Sequence, residues 1–347
     1  MKVQTIIAAA TVGTAISLGA AAFAEQVNWK MAHFTTGGPH YEFAQTYAEK
    51  VRELSGGEIN IEVFPAGTLG AAATVTDTVS NGVSEVGFNW MGYDWGRNKA
   101  TVLFSGYPAG MNDVQMLQWL NAGGGRDLQR EFRAQEFDVV SFPAYLSPAE
   151  IFLHSNKPIE SLEDMAGLKF RTAGAWLEMS EQLGAAPVTA AGSDVYPMLE
   201  RGVIDATEWS TPATNVSAGF QKIARYVIVP GIHQPASEFE VIFNQDAWDS
   251  LSDHQKVILE KAATLNLFTS WSQLGYDDIA AFQEFEKSGN EIITLTPEVQ
   301  DRVQEISRAW ADEQAASNDW FAKIYGSQSA FRQNWASAKR YRDFAID

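Results

Sequence analysis

Short apolar strands and amphipathic helices alternate near the start of the chain, and this alternation limits the fold more than any other feature. The strand patterns occupy residues 27–33, 59–63 and 86–90, and helical periodicity fills residues 41–54 and 71–81 between them. A βαβαβ order predicts a parallel type of sheet with helices on its faces. The predicted fold class is therefore α/β.

Further strand patterns follow as far as residue 243, and the chain is almost wholly helical from residue 246 onward. No low-complexity linker divides the chain, so strands that cross between domains suit it better than a single flexible connection. We predict two domains with mixed sheets and a helical C-terminal extension. The predicted boundaries are residues 25–148 plus 237–277 for domain I, 149–236 plus 278–305 for domain II, and 306–347 for the C-terminal helices.

The N-terminus has the pattern of a secretory signal. Lys2 precedes an apolar run over residues 5–23, and Ala22-Phe23-Ala24 is a small-residue cleavage motif. We therefore predict that residues 1–24 are a signal peptide, that cleavage follows Ala24, and that the mature protein lies in the periplasm.

Charge and cysteine content exclude several classes of function. The 347 residues carry a formal net charge of -18, which repels nucleic acid, so we expect no nucleic-acid partner. The absence of cysteine rules out disulfides and thiol catalysis. The five histidines are scattered and form no H-E-x-x-H motif, and the sequence contains no P-loop.

Arg171 ends a short apolar strand pattern, just before a turn and a helix. Open α/β sheets bind ligands at strand ends, and a guanidinium matches a carboxylate with two parallel hydrogen bonds. The segment at residues 200–209 follows about forty residues later and ends in Glu208-Trp209. Together they predict a carboxylate-binding site.

Several segments resemble the solute-binding proteins of TRAP transporters, the DctP family. These are residues 167–171 (GLKFR), 183–188 (LGAAPV), 199–208 (LERGVIDATE) and 55–67 (SGGEINIEVFPAG). The resemblance covers nearly the whole mature chain. Trp209, the triple glycine at 123–125 and residues 230–235 (PGIHQP) are similar to the branch that binds 2-oxo acids or similar small monocarboxylates.

The resemblance implies a two-domain periplasmic-binding-protein clamp that closes on an organic acid. It also implies delivery of that acid to a membrane permease driven by the sodium gradient. Some members of this branch are dimers that exchange a long C-terminal helix, so a homodimer through the C-terminal helices is expected.

The resemblance also implies roles for individual residues. Arg171 would bind the ligand carboxylate, with Glu208 beside it. Trp209 stands where many members have asparagine, and in this branch its carbonyl binds a cation while its ring covers the ligand. Glu240 fits the position of a cation-binding glutamate, on the strand face that Glu238 shares and Phe239 does not.

Glu150 departs from the branch, which has a glutamine near this position to hold the cation. If Glu150 and Glu240 both faced the ligand, two carboxylates and the ligand carboxylate would oppose Arg171 alone, and a divalent ion would balance them. Oxygen ligands favour calcium over zinc. The expected cofactor is a single cation, calcium or sodium.

The opposing wall of the cleft should follow the first and third strands of the first domain. Its candidate ligand contacts are His33, Phe34, Asn89, Trp90, Tyr93 and Trp95.

Two alternatives remain open from the sequence. One is a receptor for another carboxylate or a sulfonate without a bound cation. The other is an exported hydrolase that uses Glu150 and Glu240 as an acid–base pair.

Overall fold

The computed structural model describes residues 26–190 and 192–342. The predicted signal peptide and its cleavage after Ala24 lie outside these residues. The strands are β1 (Val27–His33), β2 (Ile59–Phe64), β3 (Val86–Asn89), β4 (Val139–Ser147), β5 (Leu153–Ser155), β6 (Lys169–Arg171), β7 (Ala186–Val188), β8 (Ala206–Thr207), β9 (Tyr226–Val229), β10 (Ser237–Asn244) and β11 (Glu291–Thr294).

Helices connect and cover these strands. They are α1 (Pro39–Leu54), α2 (Val75–Ser80), α3 (Val102–Ser105), α4 (Asp113–Ala122), α5 (Gly125–Phe137), α6 (Ala175–Glu181), α7 (Gly192–Glu200), α8 (Pro212–Ser217), α9 (Gln245–Asp249), α10 (Asp253–Lys287), α11 (Pro297–Ser317), α12 (Asp319–Ser337) and α13 (Lys339–Arg342). In the described part of the chain, no helix has both the length and the apolar character needed to span a bilayer.

The first sheet has the strand order β2-β1-β3-β10-β4. Strand β1 pairs in parallel with β2 and β3, as the βαβαβ pattern predicts. Strand β10 returns from far along the chain and lies antiparallel between β3 and β4. The sheet is therefore mixed, and one of its inner strands, β10, comes from the second half of the sequence.

The second sheet has the order β11-β9-β5-β8-β6-β7 and is also mixed. Strand patterns in the sequence at residues 149–153 and 203–206 predict strands there, but β5 begins only at Leu153 and β8 has only two residues. Val203 is exposed and lies in the turn after α7, so its side chain gains nothing from sheet burial. The mixed α/β architecture is confirmed, whereas the domain boundaries stay a prediction.

Helix α10 is 35 residues long and contacts parts of both halves. Ser252 and Gln255 form a reciprocal capping box at its start, which satisfies backbone N–H groups that have no helical partner. The helix packs against β4 in the first sheet and against α8, which follows the second-sheet strand β8. One continuous helix therefore spans the junction between the two sheets.

The C-terminal helices pack on the body of the same chain. Helix α12 contacts α4 and α5, and Trp119 Nε1 donates to Ser327 Oγ at 3.1 Å. Gln328 Nε2 donates to the Leu103 carbonyl at 2.6 Å. Helix α11 contacts α6, where Trp310 Nε1 donates to Glu178 at 3.0 Å. Trp310 and Phe321 are thus buried within the protein itself, whereas Tyr341 is 88% exposed.

Candidate functional site

A cavity of about 580 Å³ lies between elements of the two sheets. We call the lining residues at positions 34–93 and 239 the first wall, and those at positions 150–234 the second wall. The first wall is built by the loops after β1, β2 and β3 and by β10. The second wall is built by the segments after β4, β6, β8 and β9. Strand ends from both sheets therefore meet at one site, as open α/β folds require.

Arg171 is the last residue of β6 and is only 5% exposed. Its Nη1 lies 3.0 Å from Glu208 Oε1, and its Nε and Nη2 lie 3.4 Å from the carbonyl oxygen of Ala190. The Trp209 ring lies 5.5 Å from Arg171 Cζ, a distance typical of a cation–π contact. The guanidinium is therefore held in one orientation at the cavity.

Glu208 and Trp209 follow the short strand β8, which places both in the second wall. The Trp209 ring packs against Phe220 at 5.9 Å. A Cβ on Gly192 would lie 2.7 Å from the far edge of the Trp209 ring. The indole thus needs a glycine beside it in order to lie over Arg171.

Two carboxylates and an imidazole meet beside Arg171. One ligand atom from each of Glu150, Glu208 and His233 lies within 4.8 Å of the others. His233 Nε2 is 3.3 Å from Glu150 Oε2. Burial raises the pKa of Glu150 well above its usual range, Glu208 adds to this, and Arg171 opposes it. Burial lowers the pKa of His233 to about 4, which leaves a neutral imidazole that can act as a ligand. These donors fit a cation.

The first wall is aromatic. Phe34 stacks on Phe239 with ring centroids 5.6 Å apart, and Trp90 contacts Tyr93 edge-on at 5.2 Å. Trp90 Nε1 donates to Ser237 Oγ at 2.8 Å, which fixes its indole against the sheet. Of the residues predicted for this wall, Phe34, Trp90 and Tyr93 line the cavity.

Three other predicted contacts do not line it. His33 is buried against the main chain of Thr35 and His40. Asn89 Nδ2 donates to Asp94 Oδ2 at 3.3 Å and to Glu240 Oε1 at 3.2 Å. The ring of Trp95 lies 5.1 Å from the ammonium of Lys99. In all three cases the side chain packs against or bonds with other residues of the protein.

Glu240 also lies outside the cavity, contrary to the expectation that it faces the ligand. Its Oε1 lies 2.7 Å from Arg133 Nη2 and its Oε2 accepts from Ser141 Oγ at 2.6 Å. Arg133, on α5, also pairs with Asp94 at 2.9 Å. The predicted alternation is present in β10, but the face that reaches the cavity is that of Phe239.

Sequence reasoning missed His233, Trp176 and His40, all of which line the cavity. His233 lies in the segment at 230–235 that carried part of the resemblance, so a signal was present. Trp176 is buried with no hydrogen-bond partner for Nε1 in the described structure. Nothing local in the sequence distinguishes it from a core tryptophan.

Residues 31–318 match the DctP family, described as bacterial extracellular solute-binding protein, family 7. The chain belongs to this family. It is an extracytoplasmic solute-binding protein of the TRAP transporter class and not an enzyme, and the resemblance identified from the sequence is confirmed.

Relatives resemble this solute-binding protein over nearly its whole length. A monocarboxylate 2-oxoacid-binding periplasmic protein of Nostoc sp. is 29% identical over 325 residues, which cover 92% of this chain and 88% of the relative. A TRAP solute-binding protein of Bordetella bronchiseptica, with calcium and picolinate in its active site, superposes with a TM-score of 0.87. It is 26% identical and covers 91% of this chain and 95% of its own.

A third similar protein is a TRAP solute-binding protein of Pseudoalteromonas atlantica with bound sodium and pyruvate. It superposes with a TM-score of 0.84, is 27% identical, and covers 92% of this chain and 97% of its own. The two-walled fold of the solute-binding protein is therefore shared with structures that hold a small acid together with a cation.

Proposed function

We propose that this solute-binding protein captures a small monocarboxylate, a 2-oxo or 2-hydroxy acid, and delivers it to a sodium-driven TRAP permease. The observation that carries the proposal is the buried Arg171 guanidinium, oriented at the cavity by Glu208 and the Ala190 carbonyl. The Nostoc relative, named for monocarboxylate 2-oxoacid binding, supports the ligand class.

The energetics require more than one contact. A charge-assisted hydrogen bond contributes about 1.5–3 kcal/mol net, so a bidentate pair with Arg171 supplies roughly 3–6 kcal/mol. A micromolar ligand needs about 8 kcal/mol. The remainder has to come from burial against the aromatic first wall and from a second polar contact.

A cation supplies that second contact in the proposed site. Glu150 and Glu208 would hold it, with His233 and the Trp209 carbonyl as further donors. Glu150, Glu208 and the ligand carboxylate carry three negative charges, and Arg171 carries one positive charge. The net charge of minus two is neutralised by a calcium ion but not by a sodium ion. Mainly oxygen donors suit calcium. The Bordetella and Pseudoalteromonas proteins, which hold calcium and sodium respectively, support a cation at this site.

We further propose that the protein works as a two-domain clamp with the boundaries predicted from its sequence, and that the two walls close on the ligand. Trp90 and Tyr93 on one side and Arg171 and Trp209 on the other would then enclose it.

Two finer proposals concern the ends of the chain. Cleavage after Ala24 would release a mature protein that begins at Glu25, which N-terminal sequencing of the exported protein tests. We also propose a homodimer through residues 306–347, and the dimeric state of the Bordetella structure supports the formation of a dimer. Exchange of α12 between two copies would keep its contacts with α4 and α5. Sedimentation of the purified protein tests this, because a monomer at micromolar concentration contradicts it.

The decisive experiment is a thermal-shift screen against small organic acids, with and without calcium and sodium. Ligand at about 100 times its dissociation constant should stabilise the protein by about 2.7 kcal/mol. A shift with carboxylates or sulfonates that no cation enhances would favour the receptor without a bound cation. No shift with any acid would overturn the proposal.

A further inference from the structure

The charged residues of the cavity all lie on one side. Glu150, Arg171 and Glu208 belong to the second wall. Among the described residues that form the first wall, none carries a charge: burial lowers the pKa of His40 to about 4, so its imidazole is neutral. A ligand that fills the cavity therefore meets a charged surface at one end and an uncharged one at the other.

The uncharged side is strongly apolar. It contains the aromatic side chains of Phe34, Trp90, Tyr93 and Phe239, and Trp176 and Trp209 add aromatic side chains from the second wall. A second carboxylate on the ligand would face these rings with no partner, and burying an unpaired charge is costly. The wall thus disfavours dicarboxylates.

The cavity is also large for a three-carbon acid. Its volume of about 580 Å³ lies within the roughly 300–1,000 Å³ of pockets that bind drug-sized ligands. Pyruvate would occupy only the part next to Arg171 and leave the rings in contact with water. Each additional buried methylene strengthens binding roughly fourfold.

We propose that the ligand is a monocarboxylate with a bulky apolar body, an aryl or branched-alkyl 2-oxo acid, rather than pyruvate or a dicarboxylate. This inference rests on the proposed function, since it takes Arg171 and its neighbours as the site of the carboxylate head. The second wall holds the head, and the rings of the first wall pack against the body.

Calorimetry on the purified protein, stripped of bound ligand and supplied with calcium, tests the inference. The ligands are pyruvate, 4-methyl-2-oxopentanoate, phenylpyruvate and 2-oxoglutarate. We expect one or both bulky acids to bind at least tenfold more tightly than pyruvate. We expect 2-oxoglutarate, which is similar in length to the branched acid, to bind at least tenfold more weakly than it. Pyruvate as the tightest ligand would overturn the inference and leave the proposed function standing. 2-Oxoglutarate as the tightest ligand would overturn the inference together with the monocarboxylate class of the proposed function. Binding of none of the four would overturn both.

A gain-of-function variant tests the role of the first wall directly. Thr36 is exposed and lines the first wall. The substitution Thr36→Lys therefore introduces a positive charge into a wall that has none. We expect the affinity for 2-oxoglutarate relative to 4-methyl-2-oxopentanoate to rise at least tenfold. The matched control is Thr46→Lys, on the exposed face of α1 and outside the cavity lining. An equal change in both variants would mean that general charge, and not the wall, sets the preference, and would contradict the inference.

Discussion

Arg171 Nη1 and Glu208 Oε1 lie 3.0 Å apart, with both side chains less than a tenth exposed. The guanidinium therefore has a partner before any ligand arrives. Since a buried, unpaired charge costs several kcal/mol, this pair lets Arg171 remain buried without a bound acid. It also keeps the fork in a fixed orientation, which lowers the entropy that binding has to overcome.

Replacement of Arg171 should abolish acid binding. In Arg171→Ala/Glu208→Gln the residue at 208 is not left with an uncompensated charge, and we expect at least a hundredfold loss of affinity for every acid that binds the wild type. Isothermal calorimetry measures this. Arg225→Ala is the control, because Arg225 forms an exposed pair with Glu291. A double variant that binds normally would refute the assignment of Arg171.

Glu150→Gln should change the choice of cation. It removes one of the carboxylates beside Arg171, so calcium no longer balances the site. We expect the factor by which calcium enhances acid binding to be at least tenfold smaller than in the wild type, which corresponds to about 1.4 kcal/mol. The enhancement by sodium should change less. Titration of chelator-treated protein with each ion measures this. Glu181→Gln, at the exposed end of α6, should leave the calcium dependence unchanged. An unaltered calcium response in Glu150→Gln would show that the charge of Glu150 does not set the choice of cation.

Two carboxylates on the same face of β10 should differ in their importance for stability. Burial raises the pKa of both Glu238 and Glu240, but Arg133 opposes this in Glu240 at close range. Glu240→Gln leaves the buried guanidinium short of a partner and should cost about 3 kcal/mol of unfolding free energy. Glu238→Gln keeps the acceptor for Gln129 and should cost under about 1 kcal/mol. Urea denaturation measures the free energy of unfolding of both variants. Equal losses would contradict the conclusion that Glu240, and not Glu238, is the main partner of Arg133.

Asp278 should make stability depend on pH. Burial raises its pKa from 3.8 to about 6, although the Ala213 N–H and the Thr211 hydroxyl oppose the shift. Between these values the unfolded chain loses the proton first, so the free energy of unfolding falls as pH rises through the window and stays lower above it. Asp278→Asn should therefore stabilise the protein by about 2 kcal/mol at pH 8 and by little at pH 4.

The control for this prediction is Asp277→Asn, an exposed neighbour on the same helix. Melting temperatures of both variants at pH 4 and pH 8 suffice. A gain in Asp278→Asn that does not depend on pH would show that burial of the charge is not its cause.

Local patterns predicted those parts of the protein that depend on near neighbours in the sequence. The first three strands and α10 follow from periodicity, and the position of Arg171 at the end of β6 follows from a short apolar run before a turn. These features are encoded within ten to thirty residues, where helical and strand periods can be read directly.

The features that local patterns did not indicate depend on contacts between distant segments. Glu240 faces away from the cavity because α5 brings Arg133 beneath β10, some hundred residues away in sequence. His233 reaches Glu150 because Gly231 lets the two segments pass closely. Alternation indicates that a strand has two faces, but only tertiary packing decides which of them meets the ligand.

The length of α10 has a mechanical consequence. At 1.5 Å per residue its 35 residues form a rod of about 52 Å. This rod packs against both β4 and α8. Pulling the two sheets apart would shear this packing, whereas a small rotation about the rod would preserve most of it. Spectroscopic probes placed along α10 should therefore stay silent as the solute arrives, and probes across the mouth of the cavity should report its capture.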